Sequence, residues 1–181
     1  MISPSNTKGM RAATRRAKGF TVAEALLLFL FVSVLVVLLV PRLNFARGRS
    51  AQRAALVDLD IWSDAVADYA ADHGGPPPNP HGPLHFRHPV LPLLTPYLRA
   101  VRVFDLWGQF YRLWTGPGDE AYGLVRAAGD YLVATYGFDG VPESWTYDPV
   151  NPGAGFFEPR TMDDIDRDIV IRNGVFIRRP R

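Results

Sequence analysis

The sequence predicts an α+β chain in which one long N-terminal helix precedes a small antiparallel sheet. Three observations carry that expectation. Ala25 to Val40 holds a single polar residue, Ser33, and completes an apolar run long enough to span a bilayer. Beyond it, Ala51, Ala54, Ala55, Val57, Ile61, Ala65, Val66 and Tyr69 recur at helical spacing, with Asp58, Asp60, Asp64 and Asp68 between them. Farther on, short alternating runs are separated by glycine and proline turn signals.

Residues 1–19 read as a disordered basic leader. It carries Lys8, Arg11, Arg15, Arg16 and Lys18 and no acid. From Phe20 to about Asp72 the pattern predicts one helix, apolar all round over 20–40 and amphipathic over 41–73. Pro41 and Gly48 are its expected weak points, Pro41 as a kink or a local break. His73-Gly74-Gly75-Pro76-Pro77-Pro78 ends it. An extended loop rich in proline and histidine follows to about Pro96, with a short helical turn around Leu91 to Tyr97. Residues 74–181 form the globular part. Its strands are expected at Gln109 to Thr115, Ala121 to Ala127 and Tyr131 to Tyr136, divided by Gly116-Pro117-Gly118 and Gly129-Asp130. Ile169 to Ile171 and Val175 to Ile177 flank Asn173-Gly174 and read as a closing hairpin.

Composition removes several function classes. There is no cysteine, which excludes disulfide scaffolds, thiol catalysis and cysteine-based zinc sites. The formal charge of +2 comes from 20 basic and 18 acidic residues. Without the five basic residues of the leader, 15 basic residues face 18 acids, a balance of −3. The basic character is therefore a property of the leader, and nucleic acid is not an expected partner. A basic flank that stays cytoplasmic would put the globular part on the other side of the membrane. A secretory signal peptide would need a shorter apolar core and a small-residue cleavage site, whereas Pro41-Arg42-Leu43-Asn44-Phe45 follows here. A plain single-pass anchor would leave Glu24 unexplained, because a carboxylate in hydrocarbon is expensive and is usually retained for a partner.

The junction Lys18-Gly19-Phe20-Thr21-Val22-Ala23-Glu24, with the apolar run behind it, resembles the type IV pilins and the pseudopilins of type II secretion systems. In that family a prepilin peptidase cuts after the glycine, the new terminal residue is N-methylated, and the acid at its fifth position guides assembly. The resemblance implies processing between Gly19 and Phe20, and assembly through Phe20 and Glu24. Val22 and Ala23 depart from the usual Phe-Thr-Leu-Ile-Glu. Asp105-Leu106-Trp107-Gly108-Gln109-Phe110-Tyr111 is similar to the Asp-Pro-Trp-Gly-x-x-Tyr motif of the major pseudopilins, with Leu106 in place of proline. Tyr136-Gly137-Phe138-Asp139-Gly140 is similar to the family's Gly-x-Asp-Gly turn, and Asp163 to Ile169 to its aspartate-rich segment. Residues 76–103 and 141–160 match nothing in the family.

The resemblance implies a pilin-like fold and a structural subunit of a type II secretion pseudopilus that supports export of folded proteins. Its partners would be further copies of itself, the prepilin peptidase, an inner-membrane assembly platform with its secretion ATPase, and minor pseudopilins. The chain would sit in the bacterial inner membrane with its N-terminus cytoplasmic and its globular part periplasmic. A surface pilus subunit or minor pilin is the alternative within the class. A membrane-anchored periplasmic binding module that never polymerises is the alternative outside it. The resemblance also implies calcium between the Asp-Gly turn and the aspartate-rich segment, with Asp139, Asp164 and Asp166 as first choices and Asp163 or Asp168 capping or facing solvent. Carboxylates suit that ion, which takes six to eight oxygen ligands. A solvated acidic loop countered by Arg160 and Arg167 is the other reading.

The remaining candidates are weaker. His81, His85 and His88 have spacings that a zinc or copper site could use, yet Pro83 and Pro89 favour a solvated loop. Asp119-Glu120 reads as a solvated turn. No catalytic motif is present, and no enzymatic activity is expected. Trp107, Tyr111, Trp114, Tyr131 and Tyr136 are expected in the core or at an internal interface. Trp145, Tyr147, Phe156 and Phe157 are expected at an exposed partner surface.

Overall fold

The structure is a computed structural model that describes residues 19–78, 82–99, 102–118 and 121–181. The expected basic leader, apart from Gly19, lies outside the described residues, as do His81, Asp119 and Glu120. Two compact units are separated between Val40 and Pro41.

The first unit holds the apolar part of α1 (Val22–His73). Its large side chains are exposed from Leu26 to Val40. Among the described residues this is the one helix long and apolar enough to cross a membrane, and none of its most apolar stretch is buried. Ser33 Oγ donates to the Phe29 carbonyl at 2.8 Å, so its hydroxyl is satisfied within the helix. Pro41 lies inside α1, which continues without interruption to His73, so the expected break does not occur.

The second unit contains the rest of α1 and a six-stranded sheet of order β1-β2-β3-β5-β6-β4. The strands are β1 (Gly82–Pro83), β2 (Arg112–Thr115), β3 (Tyr131–Thr135), β4 (Phe156–Phe157), β5 (Ile169–Arg172) and β6 (Val175–Pro180), and α2 spans Leu91–Leu94. All neighbours pair antiparallel except β4 and β6. The α+β class expected from the sequence is thus observed. Asn173 and Gly174, at φ of 49° and 82°, form the two-residue turn between β5 and β6. Positive φ at both central positions is what a type I′ hairpin requires.

Alternation along the strands divides the core into two layers. Tyr131 and Val133 of β3 and Ile169 and Ile171 of β5 face α1, where Ala55, Leu59, Trp62 and Val66 meet them. Leu132, Ala134 and Val170 point to the opposite face and pack with Trp114, Leu124 and Ile177. Every residue of β3 is therefore buried. Polar ties hold α1 in register with the sheet. Tyr111 Oη donates to Asp58 at 2.8 Å, Trp62 Nε1 donates to the Arg102 carbonyl at 3.0 Å, and Tyr131 Oη donates to the Ser63 carbonyl at 3.2 Å.

Two expectations fail for identifiable reasons. Residues 121–127 form a turn: Ala121 bridges Leu124 across Tyr122 and Gly123, both at positive φ. The reversal drops Leu124 into the second core layer. The aromatic residues of 141–160 do not form an exposed surface. Phe157 is buried in β4, and half-buried Trp145 and Tyr147 pack against the sheet's second face beside Tyr122.

Candidate assembly and cation sites

The start of α1 is built by its own side chains. Thr21 Oγ1 accepts from the Glu24 backbone N–H at 3.2 Å, while Glu24 Oε2 accepts from the Thr21 N–H at 2.8 Å and from Thr21 Oγ1 at 2.8 Å. This is a capping box, Thr-x-x-Glu, which satisfies N–H groups that a helix start leaves open. The Thr-x-x-Glu spacing of Thr21-Val22-Ala23-Glu24 is the sequence signal for it. Gly19 and Phe20 precede the helix and are exposed.

The five aspartates considered for a cation fall into different surroundings. Asp164 Oδ2 accepts from the backbone N–H groups of Arg160 and Thr161, each at 2.9 Å, and from Thr161 Oγ1, while Oδ1 pairs with Arg167 at 3.1 Å. Asp168 is fully buried, and its Oδ2 accepts from Tyr122 Oη at 2.8 Å and from the Glu143 N–H at 3.1 Å. Burial lifts its carboxyl to about 6 against those hydrogen bonds. Both carboxylates are thus engaged in holding the loops, Asp164 as a cap.

Asp139, Asp163 and Asp166 instead line one cavity of about 190 Å³ with Val141, Pro142, Glu143 and Arg167. Burial raises the carboxyl of Asp166, and the nearby charges of Asp139 and Asp163 raise it further. Asp139 Oδ1 accepts from the Val141 N–H at 3.0 Å, which shapes the turn. Among the described residues no three metal-binding side chains converge closely enough to hold an ion. The donor chemistry of this trio suits a hard cation, but the side chains would have to close on it.

The Asp105 motif has a structural explanation. Its buried carboxylate accepts from the Trp107 N–H at 2.9 Å, the Gln109 N–H at 2.8 Å and Thr135 Oγ1 at 2.5 Å. Gly108, at φ of 86°, lets the chain turn back between them. Leu106, where the resembled motif has proline, is exposed and lines an apolar groove with Trp107, Phe138, Met162 and the Asn44–Ala51 stretch of α1.

The histidines do not gather at a site among the described residues. His88 is buried, its Nδ1 accepts from the Val90 N–H at 3.2 Å, and burial lowers its basicity. His85 is exposed and its ring centre lies 5.4 Å from that of His88. His73 stacks on Tyr69 with ring centres 4.1 Å apart.

A comparison with curated proteins finds one relative of note. The chain is 29% identical over 131 residues to the type II secretion system core protein G of Escherichia coli (strain K12), covering 68% of this chain and 89% of that protein. The similarity supports the pseudopilin resemblance read from the sequence. No family model and no solved structure matches the chain. The architecture, a long apolar N-terminal helix followed by a mostly antiparallel sheet, agrees with that resemblance. The helix and the relative together fit a membrane-anchored, single-pass protein.

Proposed function

We propose that this protein is a pseudopilin, a structural subunit of a type II secretion pseudopilus, the helical filament that supports export of folded proteins across the outer membrane. The observation that carries the reading is the apolar half of α1, whose large side chains from Leu26 to Val40 are exposed and which is opened by a single carboxylate at Glu24. Such a surface needs lipid or other copies around it.

In this reading the prepilin peptidase cuts between Gly19 and Phe20, in the exposed stretch ahead of the helix. The chain waits in the inner membrane with Phe20 on the cytoplasmic side and the sheet domain in the periplasm. The assembly platform and its ATPase then lift it, and minor pseudopilins share the filament. Glu24 meets the amine of Phe20 on an adjacent copy. In low dielectric that pair is favourable only when both partners are present and well placed, so it selects register. Side chains from Leu26 to Val40 exchange lipid for one another, so geometry comes from packing and the charge pair. The capping box eases the wait, because Thr21 donates to Glu24 before any neighbour arrives.

Mass spectrometry of the mature N-terminus, with the prepilin peptidase present and absent, tests this reading. The expected peptide begins at N-methylated Phe20 and is found only with the enzyme. An uncut chain, or a cut beyond Pro41, would overturn it.

Calcium belongs to the same proposal. Asp139, Asp163 and Asp166 would supply carboxylates, and the ion would cancel the mutual repulsion that raises Asp166. Chelation should lower the melting temperature of the full chain in detergent, and added calcium should restore it. Equal melting temperatures under both conditions would remove the ion from the proposal.

A further inference from the structure

The part of α1 in the second unit is divided by charge. Residues 41–57 contain Arg42, Arg47, Arg49 and Arg53 and no acid, and residues 58–72 contain Asp58, Asp60, Asp64, Asp68 and Asp72 and no arginine or lysine. Asp60, Asp64, Asp68 and Asp72 are spaced by four, so they follow one another along a helix face. Arg42, Arg49, Arg53, Asp60, Asp64 and Asp68 are all exposed. At 3.6 residues per turn they fall along one side of the helix, about a quarter to half a turn away from the buried row of Gly48, Gln52, Ala55, Leu59 and Val66. The solvent-facing side is thus basic at one end and acidic at the other.

Within the chain Arg102 pairs with Asp58 at 3.1 Å, Tyr97 donates to Asp72 and the charge of Arg179 reaches Asp60, which leaves the middle of each end open. Among the described residues Arg49 and Arg53 form no ion pair, and Asp64 and Asp68 accept no hydrogen bond. The basic end is extended by the last strand. Arg49, Gln52, Arg53 and Leu56 line a cavity of about 280 Å³ with Arg179 and Arg181, and no acidic side chain lines it.

We infer that this bipolar face docks on a second copy of the chain, with the Arg49–Arg53 end of one copy against the Asp64–Asp68 end of its neighbour. The inference rests on the filament reading and adds its register. Parallel copies at equal height set arginine against arginine and aspartate against aspartate, which is repulsive. A shift of 15 residues along the helix, from 49 to 64 and from 53 to 68, sets opposite charges together. At 1.5 Å per residue the shift is about 22 Å. Two copies anchored in one membrane sit at equal depth and cannot adopt it. A copy lifted out of the membrane can. The charges therefore oppose pairing at rest and favour it once extraction has begun.

Charge exchange in the full chain, with filaments counted by electron microscopy, tests this. Arg49→Glu with Arg53→Glu, and separately Asp64→Arg with Asp68→Arg, should each reduce filament yield roughly tenfold or more. The fourfold variant restores the complement with inverted polarity and should recover filaments. Recovery would also exclude misfolding, because two folding defects add and do not cancel. Filaments at wild-type yield in both double variants would overturn the inference and leave the filament reading intact. Loss in the arginine variant alone, unrecovered in the fourfold variant, would overturn it in favour of an anionic lipid headgroup as the partner of the arginines. A wild-type chain that never assembles would overturn both.

Discussion

Gly48 on α1 lies against Ile165 of the aspartate-rich segment, so closely that a Cβ added at Gly48 would stand 2.7 Å from Ile165 Cγ2. Ile165 is fully buried, and its backbone N–H donates to the Met162 carbonyl at 2.8 Å. The glycine that looked like a weak point of the helix is where the helix receives the loop. Gly48→Ala gains about 1 kcal/mol of helix propensity but overpacks a filled site, which typically costs about 1–3 kcal/mol. The net expectation is a destabilised second unit. Urea unfolding of the full chain in detergent, followed by tryptophan fluorescence, checks it, and Gly48→Leu should be worse.

Asp105 predicts a larger loss. Asp105→Ala strips acceptors from two backbone N–H groups and from the buried Thr135 hydroxyl, so it should cost about 2–4 kcal/mol. Thr135→Val removes one donor from a carboxylate that keeps two others and should cost less. Comparing the two denaturation midpoints tests whether the motif acts through this network.

Asp130 predicts acid sensitivity. The Ala127 N–H, the Asn173 amide and the Arg172 guanidinium hold its carboxyl down at about 2, against an ordinary 3.8. A carboxylate stabilised in the folded state contributes its stability above pH 4 and loses it as pH falls from about 4 to about 2. The contribution is about 1–2 kcal/mol. Asp130→Asn should lower stability at pH 7 and flatten this limb of the stability profile, as measured by urea midpoints across pH 2–6.

Thr21 and Glu24 allow the cap to be separated from the charge. Glu24→Gln can still accept from the Thr21 N–H, as the capping box requires, but it carries no charge. Thr21→Val removes the hydroxyl and keeps the carboxylate. If the charge directs assembly, Glu24→Gln should insert in the membrane and fail to form filaments, while Thr21→Val should assemble with a helix start weakened by about 1 kcal/mol. Filament counts and membrane fractionation of the two variants distinguish the roles. Normal filaments from Glu24→Gln would reduce Glu24 to a cap.

The long helix, its apolar first half, its end at His73, the β5–β6 hairpin and the α+β class were all legible in the sequence, because each depends on local chemistry. Periodicity shows which face of a helix is apolar, proline and glycine show where a helix stops, and Asn173-Gly174 accepts the positive φ that a tight hairpin needs. What the sequence alone could not decide was what covers the sheet's second face, or which aspartates are occupied. Trp145, Tyr147 and Phe157 look like an exposed aromatic surface until the sheet is built and they are found packed over it. Asp164 and Asp166 are near neighbours in sequence, yet one caps a turn and the other shares a cavity with Asp139 and Asp163. These outcomes depend on contacts between residues far apart in the chain, where burial and available hydrogen-bond donors set the role of each side chain.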